Sequence, residues 1–390
     1  MKRIIMYLAA AASAAVAVTS VLLFVFSVKN VAEPVVDTSI EATELTGYGG
    51  KYKFWFSQLN NEEKHAYNLI LECIYSMPDE IEINRIDSEM LDNVFYALTS
   101  DNPDLFFVGR KCSLRTVGSK TWFAVDYIVD KNEYETMKKE LNAVCDEVIS
   151  GCSNTSDLWQ TELEIHDYII DNCIYSLDSN PLGSTAYGVL VNGEGACEGY
   201  SKAAKLLLDR AEIENTIISG VSESETSERG PHMWNAVNLD GNWYHLDCTW
   251  DDPVDEGGLQ SKTYTYFNLD DKTISKTHFE FSYELGCDAL QENYFVKTGA
   301  YFESYDRSCE EKLASIIINE TQAGNDTVYF RFADKQTYDE AVKELIEKER
   351  IYHILKIARD SSEFEFSTNS TGYITDGENL IFALVPKYTK

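Results

Sequence analysis

Gly195-Ala196-Cys197-Glu198-Gly199-Tyr200 sets one cysteine between small residues at the edge of a segment with helical periodicity. Beyond it, Tyr200, Ala203, Ala204, Leu207 and Leu208 recur at i, i+3, i+4, i+7 and i+8, while Lys202, Lys205, Asp209 and Arg210 fall elsewhere. The spacing predicts an amphipathic helix that begins at the cysteine and is anchored in a core by its apolar stripe. A thiol there meets helix-start N–H groups and the positive end of the helix dipole, both of which favour the thiolate. The flanking glycines are expected to let a substrate backbone come close. One such cysteine alone is more often structural than reactive, so the question passes to its partners.

Two β-rich runs follow, residues 232–239 and 243–250, around Asp240-Gly241. Both residues of that dipeptide tolerate positive φ, which a tight two-residue hairpin turn requires. In that register His232 faces Thr249 and Trp234 faces Asp247. His232 and Asp247 then share a face as diagonal neighbours about 7–8 Å apart at the backbone, within reach of an imidazole and a carboxylate. A slip of one residue would put them on opposite faces. Cys197, His232 and Asp247 thus supply a nucleophile, a general base and an orienting acid. Asp247 would accept from one ring nitrogen and the other would take the thiol proton. The thiolate would attack an amide carbonyl, with the Cys197 backbone N–H as one oxyanion donor. Tyr187, in the preceding loop, is the candidate for a second donor. His245 shares the face of Asp247 and is the substitute for His232.

Other chemistries fit less well. Gly195-x-Cys197-x-Gly199 resembles a nucleophile elbow preceded by a strand over 186–191, with Cys197, Asp247 and His278 as its triad. An Asp-Gly hairpin does not belong beside the parallel sheet of that fold. Asp247, Asp251, Asp252, Asp255 and Glu256 lack the spacing of a calcium loop and read as a solvated acidic loop. Gly193, Gly195 and Gly199 miss the dinucleotide spacing. No cofactor and no metal are expected.

The net charge of −32 and the absence of Lys/Arg clusters argue against a nucleic-acid partner. Lys2 and Arg3 precede an uncharged, mostly apolar run over 4–28. That run is long enough to span a bilayer and is read as an uncleaved signal-anchor, with a cleaved signal peptide and secretion as the alternative. Residues 29–47 read as a stalk, and the remainder as extracytoplasmic. Nine cysteines without a C-x-x-C disfavour a zinc knuckle; the odd count leaves a thiol unpaired, and Cys145 and Cys152 are a possible bridge. Residues 48–150 form an N-terminal α+β region with helices over 62–76, 88–98 and 133–149 and strands near 106–108 and 122–129. Residues 151–300 hold the chemistry. Residues 301–390 form a small C-terminal α/β domain, with a strand over 327–332, a helix over 337–348 and strands near 364–366 and 380–385. Oligomeric state is not readable.

Residues 166–280 resemble the transglutaminase-like branch of the papain-like cysteine enzymes, especially exported bacterial members. The matching text is His166-Asp167-Tyr168-Ile169, Ala186-Tyr187-Gly188-Val189-Leu190, Gly195-Ala196-Cys197-Glu198-Gly199-Tyr200-Ser201-Lys202-Ala203, His232-Met233-Trp234-Asn235 and Trp243-Tyr244-His245-Leu246-Asp247-Cys248-Thr249-Trp250-Asp251-Asp252-Pro253. Tyr266-Phe267-Asn268 and His278 extend it, and a looser likeness over 55–130 includes Asp101-Asn102-Pro103-Asp104-Leu105-Phe106. The resemblance implies an α+β, papain-like core, with a helix carrying the Cys packed on an antiparallel sheet carrying the His and Asp. It assigns Cys197 as nucleophile, His232 as base and acid, and Asp247 as orienter. The expected activity is hydrolysis or acyl transfer at amide bonds of proteins or cell-wall peptides. A non-catalytic binding module with a vestigial triad is the rival reading.

Overall fold

The chain enters through α1 (Phe54–Gln58), α2 (Asn61–Ile74), β1 (Ile81–Ile83), α3 (Ser88–Asp101), β2 (Val108–Val117) and β3 (Lys120–Tyr127). This computed structural model describes residues 50–177, 180–224, 227–252 and 262–389; the expected membrane segment and stalk, and the loop with Asp255 and Glu256, lie outside them. Among the described residues no helix is long and apolar enough to cross a membrane. The three strands form an antiparallel sheet in the order β1-β3-β2. α2 starts at a capping box, in which Asn60 accepts from the N–H groups of Glu62 and Glu63 and Glu63 answers to the Asn60 N–H. Phe106 and Phe107 fall in the turn before β2 rather than in a strand, since Leu105 N donates to Asn102 O and Val108 N to Leu105 O. Asp101, from the Asp-Asn-Pro-Asp run, is fully buried and accepts from Trp55 N at 3.1 Å and Phe56 N at 2.7 Å. It thereby satisfies the open start of α1.

Next come α4 (Lys131–Gly151), α5 (Leu158–Asn172), the short parallel pair β4 (Ile174–Tyr175) and β5 (Glu194–Gly195), and α6 (Cys197–Arg210). Between β4 and β5, Gly188–Asn192 winds as a π-type turn where the elbow reading required a strand. α6 packs on an antiparallel sheet of β6 (Asn215–Ser222), β7 (Gly230–Leu239) and β8 (Asn242–Leu246), joined, after α7 (Asp271–Ile274), by β9 (His278–Phe279). The order is β8-β7-β6-β9. This is the expected α+β arrangement, with the cysteine on the helix and the histidine on the sheet. The remaining chain runs through α8 (Tyr294–Lys297), β10 (Tyr301–Phe302), α9 (Glu310–Ala323), β11 (Val328–Phe332), α10 (Lys335–Val342), α11 (Arg350–Asp360), β12 (Glu365–Phe366), β13 (Gly372–Asp376), β14 (Ile381–Val385) and β15 (Tyr388–Thr389). Its main sheet is ordered β10-β11-β14-β13. The helix expected over 337–348 breaks after Val342 into a π-type turn, Lys343–Glu347. One apolar core runs through all three regions, from Trp55 through Leu207 to Leu384. All nine cysteines are free thiols, so Cys145 and Cys152 do not bridge.

The hairpin keeps its expected register from Leu239↔Asn242 to Asn235↔Leu246, with Asp240 at φ 53° and Gly241 at φ 86° in the turn. The pairs expected beyond it, Trp234 with Asp247 and His232 with Thr249, do not form. β8 stops at Leu246 because Asp247 folds its own carboxylate back, Oδ1 accepting from Thr249 N at 2.9 Å and Trp250 N at 3.2 Å.

Two buried ionic features hold the frame of the site. Lys205 on α6 is fully buried and reaches Asp209 at 3.1 Å and the Tyr52 carbonyl at 3.1 Å, while Asp209 also accepts from Lys51 N at 3.0 Å. The N-terminal strap is thereby pinned to the cysteine helix. Behind the Asp247 turn, Asp251 accepts from Tyr266 N at 2.9 Å and from Thr263 Oγ1 at 2.7 Å, and faces His166 Nε2 at 3.3 Å. His166 Nδ1 donates to Asp167 at 3.0 Å. Burial of His166 works against its charge, but the hydrogen bonds and charges of Asp167 and Asp251 prevail and raise it from 6.5 to about 9. With both ring nitrogens on carboxylates, His166 is an imidazolium that locks α5 to the 247–252 turn.

Lys205→Met should strand the Asp209 carboxylate and cost roughly 3–5 kcal/mol in urea unfolding, as breaking one side of a buried pair does. His166 binds its proton more tightly folded than unfolded. Its stabilisation is therefore complete below about pH 6.5 and lost as pH rises through about 9. Between pH 6 and 10 the wild-type chain should lose about 3 kcal/mol more than His166→Gln, measured by urea titration at each pH.

Candidate active site

α6 begins at Cys197, with Ala196 extended at φ −100° and ψ 177° as its cap and no side chain capping it. The thiol is half-buried and lies at the first helical position, where N–H groups have no intrahelical partner. The glycines beside it serve packing rather than substrate approach. A Cβ on Gly195 would stand 2.4 Å from Val189 Cγ2 and 3.0 Å from Gly183 O; one on Gly199 would stand 2.4 Å from that same carbonyl. The Gly183 carbonyl also accepts from Ala196 N at 2.9 Å, so a backbone strap is laid directly across the helix start.

β7 delivers His232 to the other side. Asn235, three residues further along, is buried and donates through Nδ2 to Ser201 O at 3.0 Å, tying β7 to the first turn and a half of α6. His232 Nε2 donates to Asp247 Oδ2 at 2.6 Å, and its ring hydrogen-bonds the Cys197 thiol. Since Nε2 is taken by the carboxylate, Nδ1 is the nitrogen left for the sulfur. The structure therefore brings Cys197, His232 and Asp247 together in the order expected.

Asp247 is fully buried and saturated. Oδ1 serves the two turn N–H groups, and Oδ2 accepts from His232 and, at 3.0 Å, from His278 Nε2. Burial would raise Asp247, but the two imidazoles, His232 foremost, hold it well below the usual carboxylate range. Burial would likewise lower His232; the charge and hydrogen bond of Asp247, with the thiol adding to them, raise it to about 10. His278 differs: burial dominates and lowers it, so its ring is neutral, with Nε2–H on Asp247 and Nδ1 accepting from Thr277 Oγ1 at 2.9 Å. His278 is thus a second support for Asp247, not the base of an elbow-type triad. Trp234 and Trp250 close around both imidazoles, Trp234 stacked on His232 at 6.0 Å and Trp250 lying 4.7 Å from His278.

His245 cannot replace His232. Trp234 Nε1 donates to its Nδ1 at 3.0 Å, which fixes the proton on Nε2, and Nε2–H is given to Asp271 at 2.8 Å. Both nitrogens are engaged away from the thiol. Cys287 completes a potential ligand cluster with His245 and Asp271, but the indole donor on Nδ1 requires the proton on the nitrogen that would face an ion. Tyr187 is not brought to the thiol either. Its hydroxyl donates to Glu140 Oε2 on α4 at 2.6 Å and its ring stacks on Phe106 at 5.3 Å, so its one phenolic proton is unavailable to an oxyanion.

Residues 142–248 match the family model of the transglutaminase-like superfamily. No curated protein matches the chain. Among solved structures, one described as a TGase is similar at 15% identity and TM-score 0.27, over 47% of this chain and 53% of that one. A protein from Cytophaga hutchinsonii, described as a candidate cysteine protease, is similar at 14% identity and TM-score 0.25, over 36% of this chain and 61% of that one. The chain thus spans between half and two thirds of the length of these two. The matched segment contains the α6 cysteine, the whole β7–β8 hairpin and the carboxylate that ends it: residues 142–248 are a transglutaminase-like domain with an α+β core.

Proposed function

We propose that this protein is a cysteine-dependent amide-bond enzyme that works outside the cytoplasm, held to the membrane by its N-terminal run, on protein or cell-wall peptide substrates. The observation that carries the reading is the chain of contacts from the Asp247 carboxylate, through the 2.6 Å bond to His232 Nε2, to the thiol at the start of α6. The raised His232 favours the imidazolium, which sets a positive charge beside the sulfur. The thiolate adds to the amide carbonyl, and the oxyanion is met by the Cys197 N–H. Collapse breaks the C–N bond, the leaving amine takes the proton from His232 Nδ1, and a thioester remains on Cys197. Water, deprotonated by the now neutral His232, adds to the thioester and releases a carboxylic acid; an amine in its place would give a cross-link. Hydrolysis is the preferred outcome because water is abundant and Cys197 is only partly buried. The exported setting is supported by the apolar run over 4–28 that follows Lys2 and Arg3.

With the full-length protein, iodoacetamide should alkylate Cys197 faster than any of the other eight thiols, and His232→Ala should slow that one rate sharply while leaving the rest unchanged. Asp247→Asn should lower turnover of a glutamine-containing peptide by roughly 10²–10⁴-fold, since it loses the anion that fixes the His232 tautomer. Nine equally slow thiols, or an Asp247→Asn variant as active as wild type, would defeat the reading. Mass analysis of the peptide after incubation with a primary amine separates cleavage and deamidation from transfer.

A further inference from the structure

The π-type turn and the strap at Gly183 bring β4 and β5 side by side, with Tyr175 opposite Gly195, two residues before the thiol. Ile174 N donates to Gly193 O and Ser176 N to Gly195 O, both at 2.9 Å, so the strand is pinned on each side of Tyr175. The half-buried Tyr175 ring lies 6.3 Å from Tyr200, which is one turn along α6 from Cys197. Tyr200 is itself fixed, its hydroxyl donating to Asp252 Oδ2 at 2.6 Å at the end of the Asp247 turn. Tyr175 therefore occupies the corner between the start of α6 and the turn that carries Asp247. Its hydroxyl hydrogen-bonds no described residue, yet it feels the charges of both Cys197 and Asp247. Burial first, and then those two groups, push its phenol up to about 12, so it keeps its proton and remains a donor.

Resting on the acyl-transfer reading above, we infer that the Tyr175 hydroxyl is the second oxyanion donor of the site, closing on the carbonyl oxygen together with the backbone N–H of Cys197. As the C–S bond forms, the carbonyl π pair moves onto oxygen, and two hydrogen bonds receive it. As the carbonyl re-forms and the leaving group departs, both are released, and no proton need pass to or from Tyr175. The assignment gives the half-buried phenol a partner that exists only during reaction. It also accounts for the absence of a resting hydrogen bond to any described residue.

Two reactions at the same sulfur separate this role from a structural one. Acylation by p-nitrophenyl acetate develops an oxyanion, whereas alkylation by iodoacetamide displaces iodide and develops none. In full-length Tyr175→Phe, the first-turnover burst of p-nitrophenolate should slow by about 10²-fold, while Cys197 alkylation stays within about twofold of wild type from pH 5 to 9. An acylation rate within about threefold of wild type would overturn the assignment. So would equal losses in both reactions, which would mean that Tyr175 only supports the thiolate or the fold. If wild-type Cys197 alkylates readily but is not acylated at all, the acyl-transfer reading itself falls and the Tyr175 assignment falls with it. Failure of the variant alone leaves that reading standing.

Discussion

A carboxylate buried to the last ångström stays charged only if the protein supplies every hydrogen bond that water would have made. Asp247 is in that position: four donors converge on two oxygens, two from its own turn and two from imidazoles. The four donors come from three different structural decisions. The turn N–H groups require β8 to stop at Leu246; His232 requires the hairpin register; His278 requires β9 to dock on β6 from beyond the described core of the hairpin. The turn is braced in its turn by Asp247 N on the Tyr266 carbonyl and by Asp251 on Tyr266 N and His166. Loss of any one donor would leave a charged oxygen short of a partner in a site from which water is excluded, where such deficits are most costly.

The hairpin carries two histidines, each held by an aspartate from beyond it, and only their outer nitrogens distinguish them. His245 has an indole N–H on one side and Asp271 on the other, so both of its nitrogens are engaged. His232 has Asp247 on one side and a thiol on the other, and the thiol can surrender a proton. Trp234 is placed to touch both: its Nε1–H freezes His245, while its face lies against His232, whose bond to Asp247 is buried. A single buried side chain thus makes one imidazole inert and keeps the other in a dry, strongly polarised setting.

What the sequence discloses of this site is what local patterning controls. Asp240-Gly241 selects a two-residue turn, and that turn alone sets which side chains share a face, so His232 and Asp247 could be paired without knowing anything else about the fold. The Tyr200–Leu208 stripe likewise puts Cys197 at a helix start. The failures share a different cause. β4 and β5 are two residues each, too short to leave a periodic signature, and they pair in parallel across an intervening π-type turn. Tyr175 therefore carries no sequence signal, whereas Tyr187, in the loop just before the cysteine, does, although its hydroxyl belongs to Glu140. The glycines were legible as special but not why: the carbonyl that would meet a Cβ on Gly199 belongs to Gly183, which no spacing rule connects to it. His278 was legible as part of a resemblance, yet its task on Asp247 depends on a strand pairing over more than fifty residues.

The N-terminal region, which carries no catalytic pattern of its own, reaches the thiol through charge. Glu198 follows Cys197 directly, and an uncompensated carboxylate there would oppose thiolate formation. Burial would raise Glu198, but Lys202 from the next turn of α6 and Arg110 from β2 hold it below its usual range and ionised. An ion pair as exposed as Arg110 contributes little to stability, so that is a poor account of its position. Its guanidinium reaches both Glu198 and Ser184, spanning from the N-terminal sheet to the strap that crosses the start of α6. With Lys202 it leaves the surroundings of Cys197 without a net negative neighbour, a condition the helix dipole needs if it is to favour the thiolate. The region that fixes α6 from behind through Lys51 and Tyr52 therefore also tempers its reactive end from the front.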